Sequence, residues 1–340
     1  MGKVKKNAGS ISVLKVSMVL GVLLVILAVL ILVSCTVGTG GYSVSEILEA
    51  LTSEEKSTVK TIVLKLRLPR ICMAVLVGAA LSASGALLQA VMRNPLADPG
   101  TIGVSAGAGT AAITVFLIFP NLSLSLPLFA FIGAALACVL IYSMAWKGGI
   151  DPTRIILSGV AINSVLGAYN SMLQLLNSDN LSGVLAFMNG SLSGVTWKHV
   201  TVMGIYAVVS LFFAMLCIRP ANALQLGDEM AKNLGVRVNL CRICLSAVSA
   251  FLAAATVSQV GMIGFVGLLV PHIARMLVGS DYKIMLPTSI LLSGCVLLAA
   301  DTIGRTVIPG LEIPVGIVMS VTGGPFFLYM LRKRGKFNAG

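Results

Sequence analysis

Residues 68–91 read LPRICMAVLVGAALSASGALLQAV, and residues 92–100 continue MRNPLADPG. About 20 apolar residues in a helix cross a hydrocarbon core of about 30 Å, and the first stretch meets that length with a single ionisable side chain, Arg70, near its start. The second stretch stops the helix. Proline lacks a backbone N–H and clashes with the preceding turn, so Pro95 and Pro99 force the chain to turn.

Working outward, apolar runs of similar length recur at 16–37, 101–119, 126–146, 153–176, 200–218, 241–259, 263–278, 284–303 and 315–331. With 68–91 they make ten expected spans. The run at 263–278 departs most from the pattern, because it contains Pro271, His272 and Arg275. The composition agrees with a polytopic all-α membrane protein: 57% of the 340 residues are hydrophobic, 11% are charged, and mean hydropathy is +0.99. A soluble domain carries about a quarter charged residues, so that class is excluded. The chain reads as a single transmembrane domain with a basic cytoplasmic amino end (1–15), an extracytoplasmic loop (38–66), a cytoplasmic loop (219–240) and a basic cytoplasmic tail (332–340).

The net charge of +12 has a membrane explanation, because basic residues concentrate in cytoplasmic loops and face the anionic leaflet. No nucleic acid partner is expected; membrane lipid is. With the amino end inside, 17 of the 24 Lys and Arg residues fall on the cytoplasmic side. The outer side keeps Lys56, Lys60, Lys65, Arg67, Arg70, Lys198 and Arg305. Both termini are thus expected in the cytoplasm, with the chain in the cytoplasmic (inner) membrane.

Seven cysteines lie mostly in apolar runs and read as small core residues. Cys241 and Cys244 form a CxxC, but no second pair or nearby histidine completes a zinc site. No P-loop motif occurs, and no catalytic set stands out, so neither catalysis nor a bound cofactor or metal is expected of this chain. Ser43 and Glu46 have capping-box spacing, which predicts a short surface helix. Asp301 and Arg305 are spaced as a local i,i+4 ion pair. His272 reads as a hydrogen-bonded core residue. Gly103, Gly107 and Ala111 form a small-residue face of the kind that lets membrane helices approach closely. Residues 224–235, LQLGDEMAKNLG, form a short amphipathic segment bounded by Pro220 and Gly235, whose mixed charges favour a protein partner over lipid.

Ten ordered motifs between residues 66 and 327 carry a resemblance: LRLPR (66–70), Ser84-Gly85 with Gln89, RNPLADPG (93–100), DPTRIILSGVAIN (151–163), NGSLSGVTW (189–197), LGDEMAKNLG (226–235), GFVGLLVPHIAR (264–275), DTIGR (301–305), EIPVG (312–316) and GGPFF (323–327). Together they resemble the FecCD-type permeases, which import iron-siderophore, haem and cobalamin complexes within binding-protein-dependent ATP-binding-cassette transporters. The resemblance implies ten spans and a pair of permease chains, identical or paralogous. It further implies two ATPase subunits that use ATP and an extracytoplasmic substrate-binding protein. A ferric siderophore is the expected cargo, with haem or cobalamin as alternatives; an ion-coupled secondary transporter is the competing class.

The resemblance also implies residue roles. Arg67, Arg70 and Arg305 match outward-facing arginines that receive acidic residues of the binding protein. Asn94, Pro95 and Leu96 match one cytoplasmic gate, and Gly149, Ile150, Asp151, Pro152 and Thr153 a second. Gly227, Asp228, Glu229, Ala231, Leu234 and Gly235 match the loop that couples to the ATPase.

Overall fold

The computed structural model describes residues 13–38, 41–52, 57–100, 102–146, 151–177 and 181–335, and these form helices and connecting loops with no β-strand among them. In chain order the α-helices are α1 (Val13–Thr36), α2 (Val44–Thr52), α3 (Thr58–Ile62), α4 (Leu68–Met92), α5 (Val104–Ile118), α6 (Leu126–Ala145), α7 (Pro152–Leu176), α8 (Leu181–Met188) and α9 (Trp197–Leu216). They continue as α10 (Ile218–Gln225), α11 (Asp228–Asn233), α12 (Val238–Val260), α13 (Val266–Val278), α14 (Tyr282–Thr306) and α15 (Val315–Gly335). Seven helices are long and apolar enough to cross a membrane, and three shorter apolar ones, Val104–Ile118, Val266–Val278 and Val315–Tyr329, complete ten among the described residues.

Two boundaries differ from expectation. The loop expected at 38–66 is helical from Thr58 onward, because α3 passes through a π-helical turn, Val63–Arg67, directly into α4. The amphipathic segment divides into α10 and α11 at Gly227, whose φ of +101° suits glycine. Pro220 lies in the first turn of α10, where a missing N–H costs nothing, and does not bound the segment. Of the expected termini, residues 1–12 and 336–340 lie outside the described residues.

Helix α4 is the axis of the molecule. A helix that is apolar all round is buried, and every residue from Val77 to Met92 is buried. Helices α9, α12, α13 and α14 pack around it. Small residues make these approaches possible: a Cβ on Gly85 would fall 1.9 Å from the Gly267 carbonyl oxygen of α13. Serines add interhelical bonds. Ser84 Oγ donates to the Ser249 carbonyl at 2.6 Å, and Ser249 Oγ donates back to the Ser84 carbonyl at 2.8 Å; such bonds are worth about 0.6–2 kcal/mol each in a membrane. The expected small face on α5 is used in the same way, with Gly107 against Gly133 and Ala137 of α6.

Helices α5 and α13, with 15 and 13 residues, reach only about 20 Å at 1.5 Å per residue. Non-helical backbone completes each of them, residues 93–100 and 102–103 before α5 and 261–265 before α13. Irregular backbone is tolerated at membrane depth only inside protein, and Ala97, Asp98, Ile102 and Ile263 are all buried.

Candidate functional site

Polar side chains gather at the two ends of α4. At the first end, Arg70 Nε and Nη2 bind both oxygens of Asp301 on α14 at 2.9–3.0 Å, and Nη1 binds Glu312 Oε2 at 2.8 Å. The expected Asp301–Arg305 pair is present at 3.4 Å. Arg305 Nη2 also donates to the Ser34 side chain at 2.6 Å, and Arg67 Nη1 donates to the Cys35 carbonyl. The carboxyl end of α1 thus offers its last carbonyls to cations, as the helix dipole favours. Arg67 additionally stacks over the Tyr42 ring at 5.2 Å. Glu312 is brought in because Gly304 leaves room for the Ile313 carbonyl, which would lie 2.6 Å from a Cβ there. Burial works against the charge of Glu312, yet its hydrogen bond and ion pair with Arg70 hold the carboxyl below the usual range.

The arginines are thus largely enclosed by this chain's own groups. The side chains of Arg305, Arg70 and Asp301 are 7%, 12% and 2% exposed, whereas Glu312 is 48% exposed. Arg70 and Arg305 share Asp301, Arg70 also binds Glu312, and Arg67 beside them is held by the Cys35 carbonyl and the Tyr42 ring.

At the second end, α4 stops at Arg93, which caps it in the left-handed conformation with φ 48°. Asn94 then makes a tight turn by accepting from the Leu96 N–H at 2.9 Å, and Leu96 is exposed. Asp98 accepts from the Gly100 N–H at 3.0 Å, while its other oxygen comes close to Gly267 in the first turn of α13, where the helix dipole favours a carboxylate. On the far side, Asn163 of α7 donates to the Gly100 carbonyl at 3.4 Å, and Gly159 packs on Ile102. Asp151 caps α7 by accepting from the Thr153 N–H at 2.8 Å, with Pro152 as the first helical residue. Gly149 and Ile150 lie outside the described residues.

The short helix α11 sits beside this loop. Asp228 binds Arg242 of α12 at 2.9 Å and approaches Arg93 at 3.9 Å. Ala231 is fully buried under α11, and Gly235 has a φ of +78°. Leu226, Met230 and Leu234, spaced four residues apart, are exposed, as is Glu229. A polar cavity of about 280 Å³ lies under the loop, lined by Gln89, Arg93, Asn94, Gln225, Arg275 and Tyr282 among others. Gln89 joins the two ends of α13: it donates to the Gly267 and Leu268 carbonyls and accepts from Arg275 at 3.1 Å.

The family model of the FecCD transport family matches residues 16–333. The chain belongs to that family. Among its FecCD relatives, the Fe(3+)-citrate import system permease protein YfmE of Bacillus subtilis is 40% identical, over 92% of this chain and 93% of that one. The hemin transport system permease protein HmuU of Yersinia pestis is 37% identical, over 95% and 98% of the two chains. A solved inward-facing metal-chelate type ABC transporter superposes with a TM-score of 0.83 at 27% identity, covering 93% of this chain and 99% of that one. This FecCD chain is thus a multi-pass membrane permease component of an ABC importer, and ATP hydrolysis lies in separate subunits.

Sequence reasoning missed four features of these sites. Arg70–Asp301 spans 231 residues and Arg70–Glu312 spans 242, so no local spacing could signal either. Asp98 stands in a quoted motif, and its burial in a loop between spans had no periodicity to betray it. The Asp228–Arg242 pair was within reach: two opposite charges 14 residues apart flank a segment already singled out.

Proposed function

We propose that the chain is the membrane permease of a binding-protein-dependent importer that carries a ferric chelate of the siderophore class across the cytoplasmic membrane. On this reading the Arg93 end of the bundle faces the cytoplasm and the Arg70 end faces the binding protein. The observation that carries it is the charge link from α11 to the loop after α4. Asp228 approaches Arg93 at 3.9 Å, and Arg93 is followed directly by Asn94, whose side chain accepts from the Leu96 N–H at the expected gate.

The exposed Met230 and Leu234 form an apolar stripe on α11 suited to a groove on an ATPase, with exposed Leu226 just before its start. When two ATPase subunits close on ATP, they displace α11. Asp228 then moves Arg93, and the turn at Asn94 follows. The contacts of Asn163 with Gly100 and Gly103 and of Gly159 with Ile102 carry the motion to α7, whose first turn follows Asp151 at the second gate. At the opposite end, carboxylates of the binding protein compete with Asp301 and Glu312 for the three arginines; a planar guanidinium can take a second carboxylate in a bidentate fork. The cargo class is supported by the iron-citrate permease YfmE and by the Iron(3+)-hydroxamate import system permease protein FhuG of Bacillus subtilis, which is 35% identical over 93% of this chain.

The test is uptake of radio-iron into vesicles holding the permease and its ATPase, with loaded binding protein on the outside. ATP-dependent uptake of a ferric chelate, lost in Met230→Asp together with ATPase copurification, is the expected result. Uptake that follows a proton gradient and needs no ATPase would overturn the reading.

A further inference from the structure

We infer that the face formed by α6, α9 and α12 holds one phospholipid, with an anionic headgroup at Lys198 and His199 and an acyl chain in the cleft beneath. Two clefts on this face join. The larger, about 680 Å³, opens at Ser125, Lys198, His199 and Gln259 and narrows at Phe131 and Phe251. The second, about 200 Å³, begins at the same two rings and runs down to Cys138 and Ala247. Phe131, Tyr206 and Phe251 form the waist between them, with ring centroids 5.2–6.4 Å apart.

The polarity is graded as a lipid's is. At the mouth stand two nitrogen-bearing basic side chains and two polar ones, and among the described residues no carboxylate lines either cleft. Below the waist the lining is apolar. From Leu126 to Cys138 the helix rises about 18 Å, close to the depth of one leaflet's hydrocarbon, about 15 Å. The mouth is built: His199 Nδ1 accepts from the Thr196 N–H at 3.2 Å, which leaves the ring proton on Nε2 as a donor. Lys198 is exposed. Trp197 beside it is half-exposed and anchors to the Leu64 carbonyl at 2.7 Å, and the chain's other tryptophan, Trp146, is exposed at the opposite end of α6. Tryptophans mark the two membrane interfaces, so the mouth stands at headgroup level. A second copy of this chain would bring no matching acid from this same face, so a phosphate headgroup answers the cations better.

This assignment is independent of the cargo and of the ATPase, and the two tryptophans allow it to be read directly. The full chain carrying Trp146→Phe, which leaves Trp197 as the only reporter, is reconstituted with brominated phosphatidylglycerol or brominated phosphatidylcholine in mixtures with unbrominated phosphatidylcholine. Brominated phosphatidylglycerol should quench Trp197 with an apparent affinity about fivefold higher, the effect of one cation near an anionic lipid. Lys198→Gln should remove the preference, and Lys198→Arg should retain it. Equal quenching by the two lipids, or a preference that survives Lys198→Gln, would overturn the headgroup assignment. Absence of quenching by either lipid would show that no lipid chain lies beside this mouth and would overturn it too.

Discussion

Asp301 is the position where a single atom change tests the Arg70 cluster most sharply. Asp301→Asn keeps the shape and one acceptor oxygen but removes the charge that faces Arg70 and Arg305. Both guanidinium groups are then left inside protein, at 12% and 7% exposure, with only the half-exposed Glu312. Breaking a buried pair by removing one partner costs about 3–5 kcal/mol. Glu312→Gln removes a carboxylate that is 48% exposed, and an exposed pair is worth about 0–1 kcal/mol after solvent screening. In a thermal unfolding assay of the detergent-purified chain, at about 2 °C per kcal/mol, Asp301→Asn should fall by about 6–10 °C and Glu312→Gln by about 2 °C or less. A triple variant, Arg70→Met with Asp301→Leu and Arg305→Met, should recover at least half of the loss, because apolar replacement of a whole buried charge set is often neutral. Equal shifts for the two single variants, or a triple variant no better than Asp301→Asn, would refute the argument that Asp301 is the buried counter-ion of the cluster.

Three further outcomes follow from the same geometry. Gly85→Ala puts a Cβ into the Gly267 backbone, and overpacking of this kind costs about 1–3 kcal/mol, so unfolding should come several degrees early, while Ala86→Gly nearby should lack the clash. The Glu312 carboxyl titrates below its usual value of about 4.3 in the folded chain. Its stabilisation is therefore complete above that value and lost as pH falls through the lower folded value: the melting difference between wild type and Glu312→Gln should be present at neutral pH and vanish in acid. Asp228→Asn should leave the ATPase bound through the apolar stripe of α11 but lower transport per ATP hydrolysed, which a coupled hydrolysis and uptake measurement would show.

The spans were legible because hydropathy is additive along the chain and needs no knowledge of neighbours. The capping box at Ser43 and Glu46 was legible for a related reason: its bonds, Ser43 N–H to Glu46 at 2.7 Å and Glu46 N–H to Ser43 at 3.2 Å, are local. The arginines of the cluster could be named, but their burial could not. Arg67 and Arg305 are covered by the end of α1, a helix joined to them only through space, and Gly38 passes within 3.3 Å of an Arg67 guanidinium nitrogen when a Cβ is placed on it. The true starts of α5 and α13 were also hidden, since Ile102 before α5 and Ile263 and Phe265 before α13 are apolar yet lie outside the helices. Asp98 shows the limit clearly. Its sequence position between two prolines reads as a surface loop, whereas the chain uses those prolines to turn back into the protein and set the carboxylate against the start of α13.

The two polar sites stand at opposite ends of one helix, and that placement constrains how they communicate. From Arg70 to Arg93 the helix rises about 35 Å with no internal proline to bend it. It is buried on all sides below Val77, so it has little freedom to bend and moves only if its neighbours do. Its closest neighbour is α13, at the Gly85–Gly267 crossing, and Gln89 binds both the first turn of α13 and, through Arg275, the last. A displacement at the Arg70 cluster can therefore reach the Asn94 turn as a shift of α4 along its axis against α13. Asp98, which ties the same loop to the first turn of α13, would oppose that shift.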